Sequence, residues 1–90
     1  MIRWDEEKNV QLKRVRGVSF EQIAEMIANG EYLAIVKHPK RAHQRLFVLR
    51  IAGYIWVVPF VTAADGETFF LKTAFPSRKF DRIYGENTDG

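Results

Sequence analysis

LFVLRIAGYIWVVPFVTAADGETFFLKTAFPSRK, residues 46–79, is the stretch whose reading decides the fold. It holds three runs rich in Val, Ile, Phe, Trp and Thr, at 46–51, 55–62 and 68–75. Ala52-Gly53-Tyr54 separates the first two and Ala63-Ala64-Asp65-Gly66-Glu67 the last two. Such side chains pack well on a pleated surface, and linkers this short with Gly inside them join antiparallel neighbours, not crossover strands. The reading is a meander of two hairpins. Pro59 has no amide proton for a ladder, so its place inside the run at 55–62 implies a bulge or an edge position. Alternation along the last run puts Phe69, Leu71, Thr73 and Phe75 on one side and Phe70, Lys72 and Ala74 on the other. Both sides are substantially apolar, so the second face is expected to bind a partner or another copy of the chain.

Working outward, Tyr32 to Val36 reads as a further strand that hands over to Lys37-His38-Pro39-Lys40-Arg41-Ala42-His43-Gln44-Arg45. Six of those nine side chains are Lys, Arg or His, so the loop projects cationic donors at the rim of the sheet. Earlier still, Val18-Ser19-Phe20-Glu21-Gln22-Ile23 marks a helix start: Ser19 can cap the amide of Gln22, Gln22 can reach back, and Val18 can staple onto Ile23. Phe20, Ile23, Ala24 and Ile27 then fall on one buried face, with Asn29-Gly30 as the stop. A preceding helix begins after Asp5 and ends at Gly17, with Glu6 and Glu7 in its first turn and Lys13, Arg14 and Arg16 in its last, as the helix dipole favours. Its strong apolar positions are Val10, Leu12 and Val15. Met1 to Trp4 reads as an edge strand, and a short helix from about Arg78 to Tyr84 starts from Ser77. The tail from Gly85 to Gly90 is expected to fray.

The element order is thus (β)ααββββα, an α+β sandwich in which two N-terminal helices cover one face of an antiparallel sheet and a short C-terminal helix closes the chain. Ninety residues build one core and one domain, spanning 1–90, and 47% hydrophobic residues supply the material for it. With no Cys there is no disulfide framework and no thiolate metal site or nucleophile, which suits a reducing cytoplasm. The sequence carries no apolar run of membrane-spanning length and no leader. A cytoplasmic protein without a membrane partner is expected.

Charge gives the first functional pointer. Between Tyr32 and Ala64 stand Lys37, Lys40, Arg41, Arg45 and Arg50 without a single acid, and Lys72, Arg78, Lys79 and Arg82 follow. A basic field confined to part of a small domain is what a phosphate-backbone binder needs.

Trp4-Asp5-Glu6-Glu7-Lys8-Asn9, then Gly17-Val18-Ser19-Phe20-Glu21, then the meander and a closing Ser77-Arg78-Lys79 with Tyr84, resemble the BrnT-type toxins of bacterial type II toxin-antitoxin modules over nearly the whole chain. The chain departs from that pattern at Val15-Arg16, where the family commonly has Lys-His, and at Phe75 to Lys79. The resemblance implies a RelE-like fold and a metal-independent endoribonuclease that stops translation by cutting RNA. It also implies a small antitoxin, typically a ribbon-helix-helix protein, through which alone the complex would reach operator DNA.

Cutting RNA without metal or cofactor needs a 2′-hydroxyl aimed at phosphorus, charge stabilisation on phosphoryl oxygens and a proton for the 5′-oxygen. Arg45 and Arg78 with Lys79 could clamp one phosphate if the two ends of the meander meet at one rim, with the amides of the last helix adding to the site. His38, His43 and Tyr84 are the candidates for proton transfer, with His38 reading better as a solvated loop side chain. Lys37, His38, Lys40, Arg41 and Lys72 are the candidates for RNA binding. Trp4 and Trp56 could stack on bases but read better as core. The same cationic rim also suits a non-catalytic binding module, or a degenerate toxin kept as a repressor subunit.

Overall fold

Strands β3 (Arg45–Ile51) and β4 (Tyr54–Thr62) form the hairpin at the centre of the molecule, in the computed structural model that describes residues 1–85. Seven register pairs join them, from Arg45 opposite Phe60 to Ile51 opposite Tyr54. Ala52 and Gly53 make the turn with φ of 52° and 82°. Positive φ at both central residues matches the right-handed twist of the flanking strands. β2 (Ala34–Lys37) pairs antiparallel with β3 on the outer side. β5 (Phe69–Leu71) and β6 (Phe75–Pro76) both pair antiparallel with the other side of β4.

The sheet is mixed, which corrects the expectation of a purely antiparallel one. β1 (Ile2–Trp4) joins the edge of β5 in parallel, with Ile2 opposite Phe69 and Trp4 opposite Leu71. The order across the sheet is β1-β5-β4-β3-β2, with β6 beside β4.

The expected last strand is also broken. Phe60 is opposite Leu71 and Val57 is opposite Phe75, so Val58 and Pro59 of β4 face the three residues Lys72, Thr73 and Ala74. One extra residue on the partner strand makes a bulge, as Pro59 implied. The Pro59 carbonyl accepts from the Lys72 amide at 2.8 Å, so its donor-less nitrogen points to the same interrupted edge. Crossing the bulge reverses the alternation. Phe69 and Leu71 face the helices, whereas Phe75 lies on the opposite face with Val48, Ile55 and Val57.

Helices α1 (Glu6–Arg16) and α2 (Phe20–Ala28) cover the first face. Phe20, Ile23 and Ile27 of α2 and Leu12 of α1 pack with Phe47, Leu49, Trp56, Val58, Phe60 and Leu71 into the main core. Trp56 is therefore core, and Trp4 packs on Phe20 with centroids 5.9 Å apart. Val10 and Val15 stand exposed, so Leu12 is the only one of the three apolar α1 positions that is buried. The second buried place on α1 belongs to Asn9, at 0% exposure. Its Oδ1 accepts from the Phe20 amide at 2.8 Å, and its Nδ2 donates to Glu21 at 2.8 Å and Glu6 at 3.3 Å. One side chain thus binds α1 to the first turn of α2. The Asn9 hydrogen bond is also the main reason the Glu21 carboxyl sits below its usual range.

The second face is covered by the chain itself. Helix α3 (Arg78–Tyr84), capped by Ser77 Oγ accepting from the Phe80 amide, lays Phe80 and Tyr84 against Val48, Ile55 and Val57. Three hydrogen bonds fix it: Ser77 N to the Ile55 carbonyl, Ile55 N to Asp81 Oδ1, and Arg50 to the Tyr84 carbonyl. A partner is thus not needed to cover this half of the face. Among the described residues no helix is long and apolar enough to cross a membrane. Of the tail expected to fray, residues 86–90 lie outside the described residues.

Replacing Asn9 with Ala leaves the Phe20 amide buried without an acceptor, and a loss of about 1–3 kcal/mol is expected. Urea denaturation will read it as a lower midpoint at unchanged slope. A second expectation concerns the turn from β4 to β5. Asp65 accepts from the amides of Glu67 and Thr68 and from the Thr68 hydroxyl, and these bonds, Glu67's first, hold its carboxyl below the ordinary aspartate range. A lowered folded-state value means that its stabilisation is complete above the unfolded-state range and vanishes as pH falls through the lowered one. Between about pH 6 and about pH 2, Asp65→Asn should therefore lose less stability than the parent chain, measured by denaturation at each pH.

Candidate functional site

The loop between β2 and β3 is folded tightly on itself. The His38 amide donates to the Gln44 carbonyl at 3.2 Å and the Gln44 amide to the Arg41 carbonyl at 3.0 Å. His38 Nδ1 accepts from the amides of Lys40 and Arg41 at 3.0 and 3.1 Å. This pins the loop over the second face beyond the reach of α3, where it buries Gln44 to 6% exposure. Across β4 from the loop lies the bulge, and α1 passes beside it because β1 delivers the chain to that edge. Lys8 Nζ accordingly donates to the Lys72 carbonyl at 3.4 Å.

Loop, bulge and helix border a cavity of about 300 Å³ that is open to solvent on one side. Its lining consists of Lys8, His38, Arg41, Gln44, Pro59, Lys72, Thr73 and Phe75. Three permanent cations and a histidine thus surround a small space with two apolar side chains among its walls and no carboxylate. Among the described residues the one ion pair is Lys13 with Glu21, at 4.0 Å, so none of their carboxylates pairs with Lys8, Arg41 or Lys72. Like charges gathered without counter-charge repel one another, and an anion that enters relieves the repulsion while taking hydrogen bonds from all of them. With Nδ1 committed to two amides, the neutral His38 ring carries its proton on Nε2 and can donate it to a phosphoryl oxygen. An arrangement of this kind can hold a small anion such as a phosphate group.

Three of the expected RNA-binding residues, His38, Arg41 and Lys72, meet in this cavity. Lys40 and His43 are exposed in the loop outside its lining, and Lys37 leaves on the other face of the sheet, paired in register with Arg45. Arg45 stands on the helix-covered face with its guanidinium carbon 5.5 Å from the centre of the Phe60 ring. Arg78 and Lys79 start α3 beside Ile55, on the opposite face. Phe60 and Ile55 are five positions apart on β4, roughly 16 Å along the strand. The expected clamp of Arg45 with Arg78 on a single phosphate therefore does not form. Tyr84 packs on Phe80, with ring centroids 6.0 Å apart, and belongs to the core of the second face.

Lys8, Gln44 and Thr73 are the polar lining residues that sequence reasoning missed, together with the apolar Pro59 and Phe75. Lys8 reads as part of a solvated helix face, and only the pairing of β1 with β5 brings it to the bulge. Among the described residues no group of three or more His, Asp or Glu is placed to hold a metal ion. No family model matches the chain, and no characterised protein or solved structure matches it.

Arg41→Ala should weaken binding of a short polyphosphate and lower the magnitude of its log-log salt slope by about one. Arg78→Ala, at the far end of the sheet, should leave both unchanged. Titrations at several salt concentrations read the difference.

Proposed function

We propose that this chain grips an RNA phosphodiester in the cationic cavity and cleaves it without metal, as the toxin of a type II toxin-antitoxin module. The observation that carries the reading is the gathering of Lys8, Arg41, Lys72 and His38 around one small space without a carboxylate. The likeness of the opening boxes and the closing Ser77-Arg78-Lys79 to BrnT-type toxins, and the two N-terminal helices on one face of the sheet, agree with a RelE-like toxin. A small DNA-binding antitoxin would neutralise it in the cytoplasm, and operator DNA would be reached only through that partner.

In this reading the 2′-oxygen attacks phosphorus, the bond from phosphorus to the 5′-oxygen breaks, and the products are a 2′,3′-cyclic phosphate and a 5′-hydroxyl. The 2′-hydroxyl proton passes to water and the leaving oxygen takes one up. Lys8, Arg41 and Lys72 stabilise the extra negative charge on the phosphoryl oxygens, and Nε2–H of His38 donates to one of them. Catalysis then rests on charge and orientation, with no protein base in the cavity.

The commitment of His38 Nδ1 to the loop amides and the packing of the Tyr84 ring on Phe80 favour a second reading, a module that holds RNA without cutting it or serves as a co-repressor. End-labelled RNA incubated with the purified chain in EDTA separates the two. The toxin reading expects fragments ending in cyclic phosphate, growth arrest on induction of the chain alone, and a rate about 10²–10³-fold lower for Arg41→Ala. Intact RNA that is nevertheless bound, with a harmless chain in cells, replaces the toxin with the binding module.

A further inference from the structure

Of the seven phenylalanines, Phe70 alone belongs to neither core cluster. It sits half-buried on β5, opposite Arg3 of β1 on one side and Val61 of β4 on the other. That row lies on the second face, which α1 and α2 do not cover, and beyond the cluster that α3 covers. Lys72 Nζ stands 5.3 Å from the centre of the Phe70 ring, and Lys72 also lines the cationic cavity. Ring and cavity are therefore two residues apart along the chain, roughly 6–7 Å in an extended segment.

We propose that Phe70 is a stacking platform for a base of single-stranded RNA whose phosphate occupies the cavity, a proposal that rests on the phosphate-binding reading of that cavity. A contact between an ammonium and a half-buried ring is weaker than one between the ammonium and a phosphate, and is exchanged for it. When a phosphate arrives, Lys72 turns to it and leaves the ring to the base. Arg3 is on the same row one strand further out and, with Trp4 and Glu6, lines a hollow beside the Phe70 ring. Stacking accepts any base, so the platform adds affinity without reading sequence. It also selects against duplex, because a paired base cannot be splayed onto a side chain and the A-form major groove admits none. The combination of a cationic groove and an adjacent free ring is what single-strand binders use.

The test is titration of the purified full chain with three labelled ligands: a single-stranded RNA of about ten nucleotides, the same phosphodiester chain without bases, and the RNA duplex. Stacking is worth about tenfold to a hundredfold per base. Wild type should bind the base-bearing single strand tighter than the abasic chain and the duplex by that factor. Phe70→Leu should remove the advantage over the abasic chain and Phe70→Trp should keep it. Equal affinity of wild type for the base-bearing and abasic chains, or a Phe70→Leu loss of the same size on both, overturns the stacking platform and leaves the cavity reading standing. Failure of wild type to bind any of the three overturns both.

Discussion

The ladder of seven pairs between β3 and β4 is the constraint on which the rest of the structure depends. Both strands carry large apolar side chains on both faces, with Phe47, Leu49, Trp56 and Phe60 on one and Val48, Ile55 and Val57 on the other. A sheet of this kind has no face to give to water, and ninety residues offer few elements to cover it. The solution is asymmetric. The amphipathic α2 and the largely solvated α1 take one face, while the other is shared between a seven-residue helix and the loop at 38–44. The cavity lies where that loop meets the bulge opposite Pro59.

Pro59 links the covering problem to the chemistry. A proline in an inner strand leaves the neighbouring strand without a donor, and the neighbour answers by looping out one residue. That residue turns Ala74 into the main core and carries the side chains of Lys72 and Thr73 to the cavity. The backbone carbonyl of Lys72, freed from a regular ladder, receives Lys8 instead. A single imino acid thus accounts for the broken strand, the reversed face of Phe75 and the place of Lys72 in the cavity wall.

Much of this was legible in the sequence because it is local. The Ser19 cap, the periodicity of Phe20, Ile23 and Ile27, the Ala52-Gly53 turn and the anomaly of Pro59 each rest on residues a few positions apart, where steric and hydrogen-bonding rules act directly. What the sequence hid is long-range. A three-residue strand has too little pattern to disclose that Ile2 pairs with Phe69, and without that pairing Lys8 has no reason to be near Lys72. Phasing a strand through a bulge fails after the extra residue, which is why Phe75 was assigned to the wrong face. The Arg45 and Arg78 pair failed for a similar reason: both flank the meander in sequence, but an odd number of strand residues puts them on opposite faces at opposite ends. Asn9 was invisible as a core residue because its burial depends on the Phe20 amide being left for it by the Ser19 cap geometry.

The parallel pairing of β1 with β5 also bears on how the chain is assembled. During synthesis the first residues emerge long before residues 69–71, so β1 has no partner until most of the chain exists. The two hairpins can form from neighbours alone, whereas closing β1 onto β5 joins segments from opposite ends of the sequence and carries the largest loop-closure entropy in the molecule. Helix α1, tethered to β1 through Asp5, therefore reaches its final place late, and with it Lys8. The cationic cavity is complete only when the whole domain is, so an unfinished or truncated chain lacks one of its walls.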